Sequence, residues 1–253
     1  MENPPPIEEA EAKAAPPRRW REGRLIWLLA VLVALLVAYP FFVHRPAVFS
    51  IFNLFQTAAL LVAIYCVCRQ KKEFVPVATV FSLFAALSWL DLLYLKNQTL
   101  LLIIIPGWAA FYAFGVVAVL SRVSRYRRIT IDEIAGAISA YILLGLFFSM
   151  LYLWIELLQP GSFHIAAQTN PNNLVDYSDF VLFSFATLTT LGYGDITPLT
   201  HLTQVVAVLE SILGVLYVAI LVGGLVGLLI SERLDKKRRG GGNASAPGAN
   251  DDD

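Results

Sequence analysis

The chain has 253 residues, of which 57% are hydrophobic and 15% charged, and its mean hydropathy is +0.65. Soluble domains are nearer half apolar and a quarter charged, so the excess points to lipid contact rather than to a large soluble core. Acidic and basic residues balance at 19 each, so net charge offers no case for a nucleic-acid partner.

The first 24 residues, rich in Pro, Glu, Ala and Arg, read as a disordered cytoplasmic N-terminus. Six runs then approach the roughly 20 apolar residues that a spanning helix needs. They cover Leu25–Val43, Ala47–Cys68, Phe74–Leu95, Thr99–Leu120, Ile131–Leu158 and Leu202–Ile230. The first lies behind a basic stretch, but no small-residue cleavage site comes after it, so it reads as a retained helix and not a signal peptide. Cys66 and Cys68 stand two residues apart and read as reduced. Pro106-Gly107 predicts a kink in the fourth run. Residues 25–121 thus form a four-helix transmembrane domain and 122–130 a basic linker. Thr130-Ile131-Asp132-Glu133 reads as a capping box opening the fifth helix. Residues 131–235 form a third unit, and 236–253 a disordered cytoplasmic tail. No nucleotide fingerprint, hydrolytic triad or metal-ligand cluster appears, so neither an enzyme nor a bound cofactor is expected.

All 19 Lys and Arg except Arg45 and Lys96 lie before the first run, between the second and third, between the fourth and fifth, or after the sixth. The positive-inside rule then places both termini in the cytoplasm and segment 159–201 outside. An even number of spans is required, in keeping with six, and a multi-pass protein of the cell membrane is expected. The fourth run carries no arginine at every third position, so no strong voltage sensor is expected.

Segment 159–201 holds the chemistry. A cation crossing lipid loses its water, and a row of backbone carbonyls can replace those oxygens. Pointing successive carbonyls one way needs backbone angles that glycine adopts at little cost. The run Thr190-Leu191-Gly192-Tyr193-Gly194-Asp195 alternates glycine with other residues as such a ribbon requires, and the Thr190 hydroxyl adds an oxygen at its inner end. Before it, Asp176 suits an N-cap and Asp179 a first turn, and mostly apolar residues lead to Leu188. A short helix ending near Thr189 would turn its partial negative charge toward the membrane centre.

This run resembles the potassium-channel signature, normally Thr-Val-Gly-Tyr-Gly-Asp, and the whole chain resembles bacterial six-span potassium channels without a cytoplasmic regulatory domain. The resemblance implies an all-α transmembrane fold: six spans, a re-entrant pore helix and a selectivity-filter loop. It implies that carbonyls of Thr190, Leu191, Gly192 and Tyr193, followed by Gly194, coordinate K+ as the permeant ion, that Tyr193 packs sideways, and that Asp195 sits at the outer mouth. Leu191 replaces the usual valine. Leu182 and Phe183 stand where many relatives carry a filter-bonding tryptophan pair, and Ala186 where some carry a glutamate. In the sixth run Gly214 matches a gating glycine, its alternative being a helix contact point. Val215, Val218, Val222 and Val226 match a cavity-lining face, or else a stripe packed on neighbouring helices. Glu210 inside a span must face protein or water. It is expected behind the filter, near a hydroxyl such as Thr187.

One chain supplies one ribbon and a carbonyl ring needs four, so a homotetramer in membrane lipid is expected, with a separate regulatory subunit as a further partner. The alternatives are a less selective cation channel, whose relatives usually lose the tyrosine or second glycine, and a non-conducting membrane subunit or adaptor.

Overall fold

A computed structural model describes residues 24–42, 57, 71–90, 98–123, 131–166 and 177–241. Helix α1 spans Arg24–Phe42, α2 Lys71–Leu90, α3 Gln98–Val123 and α4 Ile131–Leu158. Strand β1 (Phe163–Ile165), helix α5 (Tyr177–Leu188), strand β2 (Ile196–Pro198) and helix α6 (His201–Gly241) complete the order.

Among the described residues three helices are long and apolar enough to cross a membrane: Thr99–Val123, Ile131–Leu158 and His201–Gly224. The expected span Ala47–Cys68, with Cys66 and Cys68, lies outside the described residues apart from Thr57. Asp176, Thr130 and the end of the expected third span also lie outside them.

Two boundaries differ from expectation. Helix α3 carries Arg122 in its last turn, so the basic linker begins later than 122. Helix α6 runs to Gly241, into the stretch 236–253 read as a tail. The residues there, Ser231-Glu-Arg-Leu-Asp-Lys-Lys-Arg-Arg239, include strong helix formers, and bases near a helix C-terminus suit its dipole.

Helix α4 is the hub. Its small residues Ala135, Gly136, Ala137 and Ala140 are buried, which lets neighbouring backbones approach. Ser139 and Ser149 are fully buried, and their hydroxyls donate to the Ala135 and Gly145 carbonyls one turn back, at 2.7 and 2.8 Å. Helix α3 packs along α4, and α1 against its first half, through Leu25, Leu28, Leu32 and Leu35, spaced at three and four residues. Both peripheral helices thus rest on α4 of their own chain. Helix α2 meets α3, where the Phe84 ring occupies the space a Cβ on Gly107 would need.

The fold is not purely helical. Strands β1 and β2 pair antiparallel, with Phe163 opposite Pro198, His164 opposite Thr197 and Ile165 opposite Ile196. Pro198 lacks an N–H but sits at a position the ladder bonds skip, because the flanking bonds fall at Ala166–Asp195 and Ser162–Leu199.

Candidate functional site

Helix α5 begins at Tyr177 with Asp179 in its first turn, and ends at Leu188 where the apolar run ends. One face, Phe180 and Phe183, enters an aromatic cluster with Phe148, Tyr152 and Phe163. The rings meet edge to face, Tyr152–Phe183 at 5.0 Å and Phe163–Phe180 at 5.0 Å, the favoured arrangement of opposed quadrupoles. Phe183 is therefore a core residue. Leu182, its neighbour, points away and is exposed.

The exit from α5 forms a Schellman motif. Thr190 N–H donates to the Thr187 carbonyl at 3.0 Å, and Leu191 N–H to the Ala186 carbonyl at 2.8 Å. Thr190 occupies the left-handed position with φ of 60°, where glycine is usual. Beyond it, Gly192 has φ of 57° and Gly194 of 83°. Positive φ therefore recurs at every second residue from 190 to 194. Leu191 and Tyr193 are exposed in the single subunit. A small, partly open cavity of about 40 Å³ lies between α5 and the ribbon, lined by Leu182, Ala186, Thr187, Tyr193 and Ile196 among others.

Carbonyls in the last turn of α5 are engaged. Phe185 accepts from Thr189 N–H at 3.0 Å and from the Thr189 hydroxyl at 2.6 Å. Leu188 accepts from the Tyr141 hydroxyl of α4 at 3.0 Å. From the other side Gly214 of α6 sits against this Leu188 carbonyl, so close that a Cβ would collide with it. Gly214 is thus a contact point between α6 and the base of the ribbon. Tyr217, nearly one turn on, donates to the Ala137 carbonyl at 2.6 Å, and its ring lies 5.4 Å from that of Tyr141.

Glu210 is fully buried behind α5. Its carboxyl accepts from the Ser184 hydroxyl at 2.5 Å and from the Tyr152 hydroxyl at 2.5 Å. The α5 hydroxyl it meets is that of Ser184, not that of Thr187. Ser184 faces α4 and α6, whereas Thr187, one turn further toward the ribbon, lines the space beside it. Ser184 also lies 2.7 Å from the Gly145 carbonyl, so one hydroxyl links α4, α5 and α6.

Val215, Val218 and Val222 are each about half exposed on α6, away from their own chain's core. Val226 is on the same helix, but its side chain is outside the described ones. Asp195 is exposed, and its carbonyl accepts from Ala166 N–H at 2.8 Å. Sequence reasoning missed Tyr152, Ser184, Tyr141 and Tyr217. The available signal was Glu210 itself, because a carboxyl at that depth needs donors, and α4 and α5 supply them as serine, threonine and tyrosine hydroxyls.

A family model described as "Ion channel" matches residues 137–231, from within α4 through α5 and the ribbon into α6. The match supports a channel subunit held in a membrane by apolar helices. An ion-channel domain moves ions and makes or breaks no covalent bond, so the chain is a transport protein and not an enzyme. No curated protein and no solved structure matches the chain.

Proposed function

We propose that this chain is one subunit of a homotetrameric, potassium-selective channel of the cell membrane, with both termini cytoplasmic. The observation that carries the reading is the recurrence of positive φ at Thr190, Gly192 and Gly194 in a ribbon that leaves the end of a short helix. Alternating left-handed with ordinary backbone turns successive carbonyls to a common side, as a file of dehydrated cations requires. Irregular backbone at membrane depth is tolerated where it lines an aqueous path. The carbonyls of Thr190, Leu191, Gly192 and Tyr193 are the proposed ligands, with Asp195 at the mouth attracting cations. One ribbon per chain calls for four chains around the axis. The exposed apolar face of α6, including Val208, Ile212, Val215 and Val222, gives that assembly a surface to bury or to line a cavity.

The test is flux through purified protein in liposomes, potassium against sodium. Strong potassium preference, lost on Gly192→Ala, is expected: φ of 57° is costly for any residue with a Cβ. A second reading, a less selective cation channel, draws on the α5 face beside the ribbon. The side chains of Leu182 and Ala186 offer the ribbon no donor there, and a small cavity lies beside it. Equal sodium and potassium flux would select that reading.

A further inference from the structure

The filter's inner end is held by α5, α4 and α6, but its outer end leaves that support at Gly194. From there the chain enters β2, whose only strand partner among the described residues is β1. Ile196 of β2 packs into the aromatic cluster, so the position of the filter exit is set by that packing together with whatever positions β1. Strand β1 begins directly after a turn at Gly161-Ser162, where α4 has ended. Gly161 has φ of 85°, so this turn carries a left-handed residue and would not hold its shape by propensity alone. Two side chains brace it: the Ser162 hydroxyl donates to the Gln159 carbonyl at 2.6 Å, and Glu156 takes up both amides of the turn. The Glu156 carboxylate, in the last turn of α4, accepts from Gly161 N–H at 2.7 Å and from Ser162 N–H at 2.9 Å, one oxygen to each. Ser162 then passes the constraint on. Its carbonyl accepts from Leu199 N–H at 2.8 Å, just after β2, and lies 3.4 Å from the Thr203 hydroxyl in the first turn of α6. At the other end of the sheet Ala166 N–H holds the Asp195 carbonyl.

We propose that Glu156 is a positioning residue for the outer end of the filter. Its carboxylate locks the Gly161-Ser162 turn, and the β1–β2 pairing carries that constraint to Asp195 and Gly194. The proposal rests on the filter reading above and adds the element that fixes the filter's width at its exit. It also accounts for how a filter is held when Leu182 and Phe183 give it no hydrogen-bond donor from α5. The constraint comes from backbone pairing on the far side instead.

The experiment compares potassium and sodium flux in liposomes for the unaltered chain, Glu156→Gln and His164→Pro. Gln retains one acceptor where two are used. His164 is exposed, and its N–H belongs to the bonded pair with Thr197, so proline there removes a ladder bond with little change in packing. Losing a charge-assisted bond shifts such an equilibrium by about tenfold and losing a neutral ladder bond by about fivefold, so the potassium preference should fall by about those factors in Glu156→Gln and His164→Pro respectively, while potassium still passes. A cross-strand disulfide from Ile165→Cys and Ile196→Cys, at a pair the ladder bonds skip, should restore preference to Glu156→Gln on oxidation and release it on reduction. Assembled variants with unaltered preference would overturn the proposal and leave the filter reading standing. An unaltered chain that does not discriminate between the ions would overturn both. Should Glu156→Gln not assemble, His164→Pro carries the same comparison.

Discussion

Thr190 does two jobs that pull against each other. As the residue closing the Schellman motif of α5 it sits at φ of 60°, a conformation that costs a β-branched residue about 1–2 kcal/mol. As the innermost proposed ligand it offers a hydroxyl that glycine lacks. Thr190→Gly should therefore stabilise the assembled protein by about 1 kcal/mol in thermal or denaturant unfolding, while lowering potassium flux. Loss of stability would mean that the threonine side chain makes contacts worth more than the strain. Gly214 is constrained in the opposite sense. Because a Cβ there would run into the Leu188 carbonyl, Gly214→Ala must push α6 away from the base of the ribbon. Overpacking of this kind typically costs about 1–3 kcal/mol. Unfolding measurements on assembled Gly214→Ala protein should show that loss, and an unchanged midpoint would mean that α6 shifts freely.

At the scale of elements, α5 is held by side chains from both long helices that flank it. Glu210 of α6 accepts from Ser184 of α5 and Tyr152 of α4, all three being fully buried. Glu210→Ala would leave the buried Tyr152 hydroxyl without its acceptor, while Ser184 keeps the Gly145 carbonyl, and should cost about 1–3 kcal/mol, above a surface substitution. Glu210→Gln keeps an acceptor at the same place and should cost less, so the order of the two unfolding midpoints checks the assignment. The tyrosine pair is coupled in a different way. Tyr141 holds Leu188 and Tyr217 holds Ala137, and their rings pack together. Each Tyr→Phe change should cost about 1 kcal/mol through the lost hydrogen bond. The double variant should be close to additive, because the packed rings survive in all four proteins. A large coupling term would show that the two hydroxyls act as a unit.

Over the whole molecule, one carboxylate gathers the peripheral helices onto the proposed pore module. Asp132, in the first turn of α4 and 7% exposed, accepts from Leu25 N–H at 2.9 Å and Ile26 N–H at 3.2 Å, the opening amides of α1. Its other oxygen lies 3.6 Å from Arg122 in the last turn of α3. Asp132 therefore caps a helix other than its own. Close by, Leu25 and Val123 crowd the site of a Cβ on Gly136. Asp132→Ala should cost about 1–2 kcal/mol as a lost cap, concentrated at the start of α1. Faster hydrogen exchange at the Leu25 and Ile26 amides, with the α5 amides unchanged, is the expected result. Uniform loosening would place the Asp132 bond in the global core instead.

Much of the molecule is legible in sequence because the signals are local or one-dimensional. A capping signal and the ends of apolar runs are local, so the bounds of Ile131–Leu158 can be read to the residue and those of α5 to within its N-terminal cap. The need for positive φ marks glycine, so the ribbon at 190–195 stands out before any fold is known. Only the tertiary structure decided the partners reached across the chain. The strands β1 and β2 are three residues each and have no identity until they pair. Asp132 reads as part of its own helix's capping box until α1 arrives beside it. Glu210 requires donors, but which hydroxyls meet it depends on the rotation of α5 against α4 and α6, which no spacing along one helix encodes. The left-handed Thr190 is the clearest case: propensity argues against it, and it persists because the Schellman bonds and the proposed filter both demand that turn.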